Sequence, residues 1–521
     1  MRRTSSVNST PLTIPELFES TVERVPDKSW LTYEDTRYTY AQAHRVIGSA
    51  AARLRDLGVG RETPVLVTTR NSPDYLFTWL ALMRLGAFML PVNPESTRAE
   101  LAGLTGQLQP ALVVTDEGLR SIVGEVVARA APGSRLATVD GIVTDEVLDA
   151  PPIAAHQDDL AVLIPTSGTT GRSKLVMQTQ RAYAMAGEGF PFWMGLTEED
   201  RLMTSLPLFH INAPAYSTLG SVAAGAGLIL LPRFSGSRFI DEARRYGATE
   251  FNAIGAMLEI LMRRPERDDD ADNPLRLCYT GPTPPKARQL EIEERFGLQI
   301  VCGYALSESP YALIWRKGTR PYDTLGSLRQ HPTLGEINEG RVMDEGREAG
   351  AGEIGELELH NPAVMLGYYN MPDETAAVLS DDGWLKTGDL VRVNADETFT
   401  FVGRKKELIR RRGENLSPLE VETVLEQHPA VAEAAVVGVP SELSEEEVKA
   451  FVLLAEGATV DMRELRDFVT ERLAPFKVPR YFEVVDDLPH TPTGRISKPA
   501  LPRDRNDREE DLQPQTRGSA S

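Results

Sequence analysis

The amino-acid sequence predicts an α/β protein. Its large N-terminal domain would combine parallel-sheet α/β subdomains with a β-rich subdomain, and a small α+β C-terminal domain would follow. Apolar, strand-like runs alternate with helix-like segments from residue 62 onward, segments become shorter and richer in Gly and Pro after about residue 320, and a second alternating segment begins near residue 407. A chain of 521 residues is too long for one ordinary hydrophobic core, so we expect two or more domains.

The strand-like runs of the N-terminal part are mostly apolar. They comprise PVLVTT (64–69), ALVVTD (111–116), GLILLP (227–232), LRLCYT (275–280) and LQIVCG (298–303). Runs this apolar predict strands that are covered on both faces, and strands that alternate with helices such as 73–85 predict right-handed crossovers and parallel sheets. Most residues of these runs are therefore expected to be structural.

The C-terminal part has a different texture. Short strand-like pieces such as GELELH (355–360) and ETFTFVG (397–403) predict the β-rich subdomain, and a helix-like 417–427 followed by VAEAAVVGV begins the α+β domain. The last segment, 503–521, is charged and nearly devoid of apolar residues, which predicts a disordered tail.

Composition and charge exclude several classes of protein. The formal net charge of −20 argues against a general nucleic-acid or anionic-membrane binder. The only cysteines of the sequence, Cys278 and Cys302, lie in apolar runs, which favours buried thiols in a reducing compartment, and we expect a cytoplasmic protein. No apolar segment approaches the ~20 residues of a transmembrane helix, and the N-terminus lacks the apolar stretch of a secretory signal.

A loop of Thr, Ser and Gly follows the apolar run 161–165 and ends at Lys174, before a polar segment that is compatible with a helix. Gly168 and Gly171 leave room for a ligand to approach the backbone. Backbone N–H groups and hydroxyls can then donate hydrogen bonds to phosphate oxygens, to which Lys174 adds a positive charge. The hydroxyl residues are Thr166, Ser167, Thr169, Thr170 and Ser173. A flexible polar linker is the alternative, and the spacing does not fit a Walker A loop.

Two further motifs follow apolar strands. LPLFHIN places His210 after a strand, where an isolated histidine is more often structural than functional. TGPTP places Gly281, Pro282 and Thr283 at a strand end, where an ordinary turn is the alternative to a close approach by a ligand.

The motif GYALSE combines three kinds of side chain that suit a magnesium nucleotide. Tyr304 offers an aromatic face for a purine, Ser307 offers a hydroxyl for a phosphate, and Glu308 offers a hard oxygen ligand for Mg²⁺. A capping pattern at the start of a helix is the alternative interpretation. Further along, GWLKTGDL contains Asp389, whose carboxylate can accept hydrogen bonds from both hydroxyls of a ribose.

The loop sequence TSGTTGRSK resembles the phosphate-binding signature of the adenylate-forming superfamily, which includes acyl-CoA synthetases, peptide-synthetase adenylation domains and luciferases. The other motifs follow in the order usual for this superfamily, and the resemblance covers nearly the whole chain. It implies that the chain binds ATP, Mg²⁺ and CoA. It also implies that His210 borders the carboxylate pocket, that 281–283 contact the adenine, and that Arg404 makes a second ribose contact.

The resemblance also implies how the chain is divided. Residues 1–403 would form the adenylation domain, 404–406 the hinge that includes Lys406, and 407–502 a mobile C-terminal domain. Gly413 falls where relatives bring backbone against the pantetheine arm of CoA. The basic run 410–412 could meet the CoA phosphates, but charge runs more often face water.

The chain departs from the family pattern at a cation. Arg495 stands where relatives carry a lysine that bridges the acid and the α-phosphate during adenylation. Arginine keeps the charge, but its planar fork is not a point charge, and Lys498 is an alternative source of it. Ala305 and Ser307 replace the usual Gly and Thr, and Leu175 replaces a glycine.

The activity that the resemblance implies is an AMP-forming acid–CoA ligase, which makes an acyl-adenylate and then a thioester. The catalytic residues would be Arg495, Lys174, Glu308, His210 and Ser307. The acyl pocket would be lined by 210–212 and 251–257, and by residues around Tyr279 and Ala305. Alternatives are a different acceptor (an amine or a carrier-protein thiol), activation of a small oxyacid such as nitrite, or a non-catalytic binding protein. The partners would be a small-molecule acid, ATP and CoA, with no nucleic acid and no membrane span, and a homodimer is left open.

Overall fold

The computed structural model describes residues 13–166, 173–281, 283–411, 414–441, 446–490 and 496–512, with the backbone alone at Asn415. The chain forms two compact units. The first unit contains the described residues of Met1–Gly340 and Leu359–Lys386, and the second contains those of Arg341–Glu358 and Thr387–Ser521. The predicted boundary at residue 403 and the hinge at 404–406 stay predictions, because this division assigns the β-rich strands to the second unit.

Within the described residues the α-helices are α1 (Ile14–Arg24), α2 (Tyr40–Asp56), α3 (Pro73–Arg84), α4 (Arg98–Leu108), α5 (Arg120–Ala130), α6 (Val139–Ile142), α7 (Gln180–Met194), α8 (Leu219–Ala224), α9 (Phe239–Tyr246), α10 (Gly255–Met262), α11 (Lys286–Phe296), α12 (Pro372–Val378), α13 (Pro418–Glu426) and α14 (Met462–Thr470). A π-helical turn over Ala213–Thr218 precedes α8.

The strands of the first half are β1 (Ser29–Tyr33), β2 (Thr36–Thr39), β3 (Pro64–Thr68), β4 (Phe88–Pro91), β5 (Leu112–Thr115), β6 (Arg135–Thr138), β7 (Leu160–Thr166), β8 (Lys174–Thr179), β9 (Arg201–Thr204), β10 (Gly227–Leu230), β11 (Glu250–Ala253), β12 (Leu277–Thr280), β13 (Gln299–Leu306), β14 (Ser309–Ile314) and β15 (Ser327–Leu328). The later strands are β16 (Glu339–Asp344), β17 (Arg347–Glu348), β18 (Ile354–His360), β19 (Leu385–Val393), β20 (Phe399–Arg404), β21 (Ile409–Arg411), β22 (Glu414–Leu416), β23 (Val431–Pro440), β24 (Glu446–Leu454), β25 (Tyr481–Val485) and β26 (Glu509–Asp511).

Two largely parallel sheets form the first unit. One has the strand order β15-β14-β13-β12-β11-β9-β10-β1-β2, and the other has the order β6-β5-β3-β4-β7-β8. The central strands of both sheets pair in parallel, and β2, β8, β14 and β15 add antiparallel edges. Their apolar faces are buried, as the mostly apolar runs predict. Cys278 and Cys302 are free, buried thiols on adjacent strands.

Local signals in the sequence account for several helix starts. Thr13, Thr39 and Thr97 each form a capping box with a Glu or Gln three residues later. The helix predicted over 73–85 starts behind the capping side chain of Ser72. None of the described helices is long and apolar enough to cross a membrane.

The second unit is built from three smaller sheets. Their strand orders are β17-β16-β18-β19-β20, β21-β22 and β23-β24-β25-β26. Helices α13 and α14 pack on the four-stranded sheet through Val421, Leu425 and Leu465. The β-rich segment and the α+β segment of the prediction are both present, and the predicted α/β fold class is confirmed.

The prediction of a disordered tail over 503–521 is wrong for its first part. Strand β26 pairs antiparallel with β25, and Leu512 packs into the apolar core of the second unit. The acidic residues of β26 lie against buried or half-buried cations, since Glu509 is 2.7 Å from Lys449 Nζ and Asp511 is 2.8 Å from Arg480 Nε. These ion pairs therefore stabilise a strand that has few apolar residues to bury. Residues 513–521 lie outside the described residues.

Candidate functional site

Several predicted site residues follow adjacent parallel strands of the nine-stranded sheet. Strands β9, β11, β12 and β13 are neighbours and run in the same direction. His210 follows β9, Gly281 follows β12, and Ser307 and Glu308 follow β13. The carboxyl ends of parallel strands meet at one edge of the sheet, and this edge is where α/β proteins bind ligands.

The predicted phosphate loop joins β7 to β8, which pair antiparallel so that Thr166 lies opposite Lys174. The Thr166 hydroxyl donates to the Lys174 carbonyl at 3.3 Å. The segment after Lys174 is a strand, so the expectation of a helix directly after the loop is wrong. Pairing with the buried strand β7 decides this, and α7 begins only at Gln180. Of the predicted site residues, Ser167, Gly168, Thr169, Thr170, Gly171, Pro282, Gly413 and Arg495 lie outside the described residues.

Ser307 and Glu308 form the two-residue turn of the β13–β14 hairpin. The alternative interpretation, a capping pattern at a helix start, is therefore wrong. Two hydrogen bonds hold the turn: the Gln178 side chain donates to the Ser307 carbonyl at 2.7 Å, and the Met365 N–H donates to the Glu308 carbonyl at 2.8 Å. Because Gln178 belongs to β8, the hairpin that carries Lys174 and the turn that carries Glu308 are joined.

Tyr368 connects the same two residues through its side chain. Its hydroxyl donates to Glu308 Oε1 at 2.9 Å, and Lys174 Nζ lies 4.5 Å from the centroid of its ring. Burial and the adjacent Glu308 raise the pKa of Tyr368, so the hydroxyl remains a donor at neutral pH. Sequence reasoning missed Tyr368, and no spacing signal in the sequence connects it to residues 60 or more positions away.

His210 presents a polar atom without a partner. Its Nε2 is buried and has no hydrogen-bond partner among the described residues, and burial lowers the pKa of His210 to about 4. The ring is therefore neutral at pH 7. Nearby, Asn252 on β11 donates to Asn212 Oδ1 at 2.7 Å, while its own Oδ1 lacks a partner among the described residues. Buried polar atoms are normally hydrogen-bonded, so these atoms mark positions where a polar ligand or water would bind.

The end of β12 approaches β13 closely. A Cβ atom added at Gly281 would lie 2.6 Å from the carbonyl oxygen of Gly303. Any residue other than glycine at this position would therefore force the two strand ends apart. Thr283 donates its hydroxyl to the Thr324 carbonyl at 3.0 Å. Tyr304, on β13, is half-buried.

Part of the predicted acyl-pocket lining packs in the core. Phe251 is 1% exposed and lies edge-to-face with Phe239. Tyr279 accepts a hydrogen bond of 2.6 Å from Arg329, a fully buried guanidinium that also donates to the Tyr216 hydroxyl at 2.8 Å. Sequence reasoning missed Arg329, which lies in a segment with no recognised motif.

The donor set suits a magnesium ion that arrives with phosphates. No group of three or more His, Cys, Asp or Glu side chains that could hold a metal by itself occurs in the part of the chain that the structure describes. Glu308 offers a single hard carboxylate, whose Oε1 is oriented by Tyr368. Mg²⁺ in nucleotide sites is bound by few carboxylates together with phosphate oxygens and water, so Glu308 fits the ion.

The predicted ribose contacts belong to the second unit. Asp389 and Arg404 face each other across β19 and β20, and Arg404 Nε lies 2.7 Å from Asp389 Oδ1. The Asp389 side chain is buried. Lys406, the predicted hinge residue, is exposed on a short 3₁₀ turn, Lys405–Glu407.

Two cations of the second unit are already paired. Lys498 Nζ lies 2.7 Å from Glu422 Oε1 and 3.3 Å from Glu407 Oε2. Arg411 is buried with its guanidinium 2.6 Å from Glu447. Both interpretations of this part of the basic run 410–412, a CoA phosphate contact and a solvated surface, are therefore wrong for Arg411, because an acidic partner compensates its charge inside the unit.

Comparison with known proteins gives the same family from three directions. The chain matches the model of the AMP-binding enzymes over residues 18–369 and that of the AMP-binding enzyme C-terminal domain over residues 420–495. The crotonobetaine/carnitine–CoA ligase of Salmonella heidelberg is 30% identical over 502 residues, which cover 91% of this chain and 96% of the relative.

Solved structures agree. ATP-bound MatB from Rhodopseudomonas palustris has a TM-score of 0.86 at 27% identity, covering 94% of this chain and 98% of its own. The O-succinylbenzoate coenzyme A synthetase MenE from Bacillus subtilis, in complex with AMP, has a TM-score of 0.83 at 26% identity, covering 95% and 99%. With its motif residues at the ends of neighbouring strands and both domain models matched in order, the chain belongs to the AMP-binding enzyme family of adenylate-forming proteins.

Proposed function

We propose that this chain is an AMP-forming acid–CoA ligase: it activates a carboxylic acid with ATP as an acyl-adenylate and transfers the acyl group to CoA. The observation that carries the proposal is the contact series from Lys174 through Tyr368 to Glu308. It supports the proposal because the lysine predicted to bind phosphate and the carboxylate predicted to bind the metal contact the same side chain within one compact unit. The relatives with matching folds that are named as CoA ligases support the same activity.

The chemistry explains why such charges are needed. A carboxylate is a poor acyl donor because its oxygen is a poor leaving group, whereas AMP leaves readily when a thiol attacks. The first step brings the anionic acid against the α-phosphate, so the site must stabilise negative charge. Lys174, the N–H groups of the 166–174 loop and Arg495 would supply positive charge and donors. Mg²⁺ held at Glu308 would neutralise phosphate charge as a Lewis acid.

His210 would orient the acid and would not act as a base. The acid is already ionised at neutral pH and has no proton to give up. A neutral imidazole whose Nε2 is unpaired can donate one hydrogen bond to a carboxylate oxygen. Ser307, Tyr304 and the 281–283 turn would complete the contacts to the phosphate and adenine.

The second unit would contribute the remaining groups. Asp389 would accept from both ribose hydroxyls with Arg404 beside it, and 404–406 would act as the hinge of a mobile domain. Arg495 is the better candidate for the adenylation cation, because the charge of Lys498 is compensated by Glu422 and Glu407. Gly413 would lie along the pantetheine arm of CoA in the second step.

The two half-reactions test these roles separately. Arg495→Ala should slow acid-dependent exchange of pyrophosphate into ATP and spare thioester formation from a supplied acyl-adenylate. Gly413→Leu should do the opposite, because its side chain would fill the pantetheine path. Equal loss in both half-reactions for either variant would contradict the assignment.

The acid and the acceptor are identified by AMP release from a panel of acids, with and without CoA. The panel begins with crotonobetaine, carnitine and o-succinylbenzoate, which appear in the names of the relatives. CoA-dependent release supports the proposal. Release only with an amine, a carrier-protein thiol or nitrite would replace it, and ATP binding without any release would indicate a binding protein.

A further inference from the structure

We propose that Tyr368 is the positioning residue of the nucleotide site: it holds the Lys174 ammonium and the Glu308 carboxylate in place and keeps these opposite charges from pairing with each other. The inference rests on the proposed function, since it assumes that both groups serve a magnesium nucleotide. It assigns a role to a residue that none of the sequence motifs contains.

The backbone of Tyr368 is attached to the hairpin that carries Lys174. Tyr368 forms an antiparallel bridge with Val176 of β8. The Met177 N–H donates to the Gly367 carbonyl at 2.9 Å, and the Tyr369 N–H donates to the Leu175 carbonyl at 2.9 Å. The segment around Tyr368 therefore lies beside β8 and is hydrogen-bonded to it on both sides of Tyr368.

A glycine and a threonine set the direction of the chain before Tyr368. Gly367 has φ +131°, and a Cβ atom there would lie 2.7 Å from Thr375 Cγ2. Both the backbone conformation and the close contact therefore disfavour any side chain at this position. The Tyr368 N–H donates to Thr375 Oγ1 at 2.9 Å. Tyr368 is 7% exposed, and the orientation of its side chain is fixed by this packing.

The ring and the hydroxyl of Tyr368 act on different partners. The ring face receives Lys174 Nζ at 4.5 Å from its centroid, which is within the range of a cation–π interaction. The hydroxyl donates to Glu308 Oε1 at 2.9 Å, a charge-assisted hydrogen bond. Each charge is held without being neutralised, since the partner of both is an uncharged phenol.

Spacing the charges has a clear physical benefit. An ammonium and a carboxylate that reach each other form an ion pair, and each then loses potential for a third group. Lys174 is needed for phosphate oxygens and Glu308 for a metal, so a direct pair would remove both functions. No Lys174–Glu308 ion pair occurs among the described side chains, whose charged groups are instead connected through the phenol.

Three single variants of the full chain separate these contributions. Tyr368→Phe keeps the ring under Lys174 and removes the hydrogen bond to Glu308. Tyr368→Ala removes both and lets the two charges meet. Tyr369→Phe is the matched control, because it removes the neighbouring phenol oxygen from a ring that packs against Phe88. Circular dichroism and thermal unfolding verify that each variant is folded.

The readout is ATP binding by titration calorimetry, with Mg²⁺ and with EDTA, which is independent of turnover. For Tyr368→Phe we expect the gain in ATP affinity from Mg²⁺ to fall by about tenfold, the size of one charge-assisted hydrogen bond, while metal-free binding stays within about twofold of wild type. For Tyr368→Ala metal-free binding should also fall by about tenfold, because Lys174 is captured by Glu308. Replacing Glu308 by Gln in the Tyr368→Ala background should restore that metal-free binding.

Each arm has an outcome that overturns the inference. A normal magnesium effect in Tyr368→Phe would remove the role of the hydroxyl. Metal-free binding that is unchanged in Tyr368→Ala, or that is not restored by Glu308→Gln, would remove the role of the ring as a spacer. Equal losses in Tyr369→Phe would show a general packing effect. Failure of the wild-type chain to bind ATP would instead refute the proposed function, and that result is visible before any variant is compared.

Discussion

Replacing Lys498 by Met should destabilise the second unit without removing adenylation. The Lys498 ammonium lies 2.7 Å from Glu422 Oε1 and 3.3 Å from Glu407 Oε2, and the side chains of Lys498 and Glu422 are 14% and 8% exposed. Methionine keeps the apolar stem but leaves Glu422 as a buried carboxylate whose remaining hydrogen-bond partner among the described residues is the Val436 N–H at 2.7 Å. Breaking a buried ion pair in this way costs about 3 kcal/mol.

The loss should depend on pH. Burial already raises the pKa of Glu422 even with Lys498 beside it, and removal of the lysine raises it further. A carboxyl whose pKa is higher in the folded than in the unfolded chain stabilises the fold below the unfolded pKa and loses that contribution as pH rises through the folded pKa. The Lys498→Met variant should therefore be least stable relative to wild type at pH 8 and recover as the pH approaches 5.

Hydrogen exchange of the full chain measures this effect locally, at α13 and β23, where Glu422 and Val436 lie. The control is Lys477→Met, which breaks a more exposed pair with Glu420 at 2.6 Å in the same unit and should change the opening free energy by less than about 1 kcal/mol. Pyrophosphate exchange should persist in Lys498→Met. If exchange stops while the protection of α13 is unchanged, Lys498 is the adenylation cation and the reasoning is refuted.

Two further predictions concern the first unit. Gly281→Ala should raise the KM for ATP by about tenfold, equivalent to a binding loss of about 1.4 kcal/mol, because its Cβ would meet the Gly303 carbonyl at 2.6 Å. The control is Gly103→Ala on α4, where nothing lies within 4 Å, and equal effects of the two variants would contradict the steric argument. The pKa of His210 is about 4 in the folded chain, below its unfolded value of 6.5, so the free energy of unfolding should fall by up to about 3 kcal/mol as the pH falls from 6.5 to 4. His210→Gln should make the free energy of unfolding, measured by urea titration, depend less on pH over this range. An unchanged pH dependence would show that His210 is not its source.

The parts of the fold that could be predicted are those that local sequence determines. The capping Ser72, the proline that follows it and the apolar residues after that predict the helix α3. The mostly apolar runs gave buried parallel strands, and motifs at the ends of such runs fall at one sheet edge by topology alone. This is why His210 and Gly281 could be assigned to strand ends from the sequence alone.

The predictions were wrong where contacts with residues far away in the sequence determine the local structure. KLVMQT has polar residues only at its two ends, and it became a strand because β7 pairs with it. The sequence around Glu308 also allowed a helix start, because the residues that hold the turn, Gln178 and Met365, are far away in the sequence. Tyr368 and Arg329 were missed for the same reason, since their roles consist of contacts that no local pattern encodes.

The burial of Lys449 makes the fold depend on the segment that follows residue 502. Its ammonium, which is 0% exposed, lies 2.8 Å from Glu483 and 2.7 Å from Glu509. A polypeptide ending at residue 502 would keep the lysine but lose one of the two counter-charges that the described residues provide, and it would also uncover the backbone edge of β25. The charged segment 503–512 therefore stabilises the four-stranded sheet, although its composition is that of a dispensable extension. Removing it for crystallisation would expose β25 as an edge strand, through which two copies of the chain could associate.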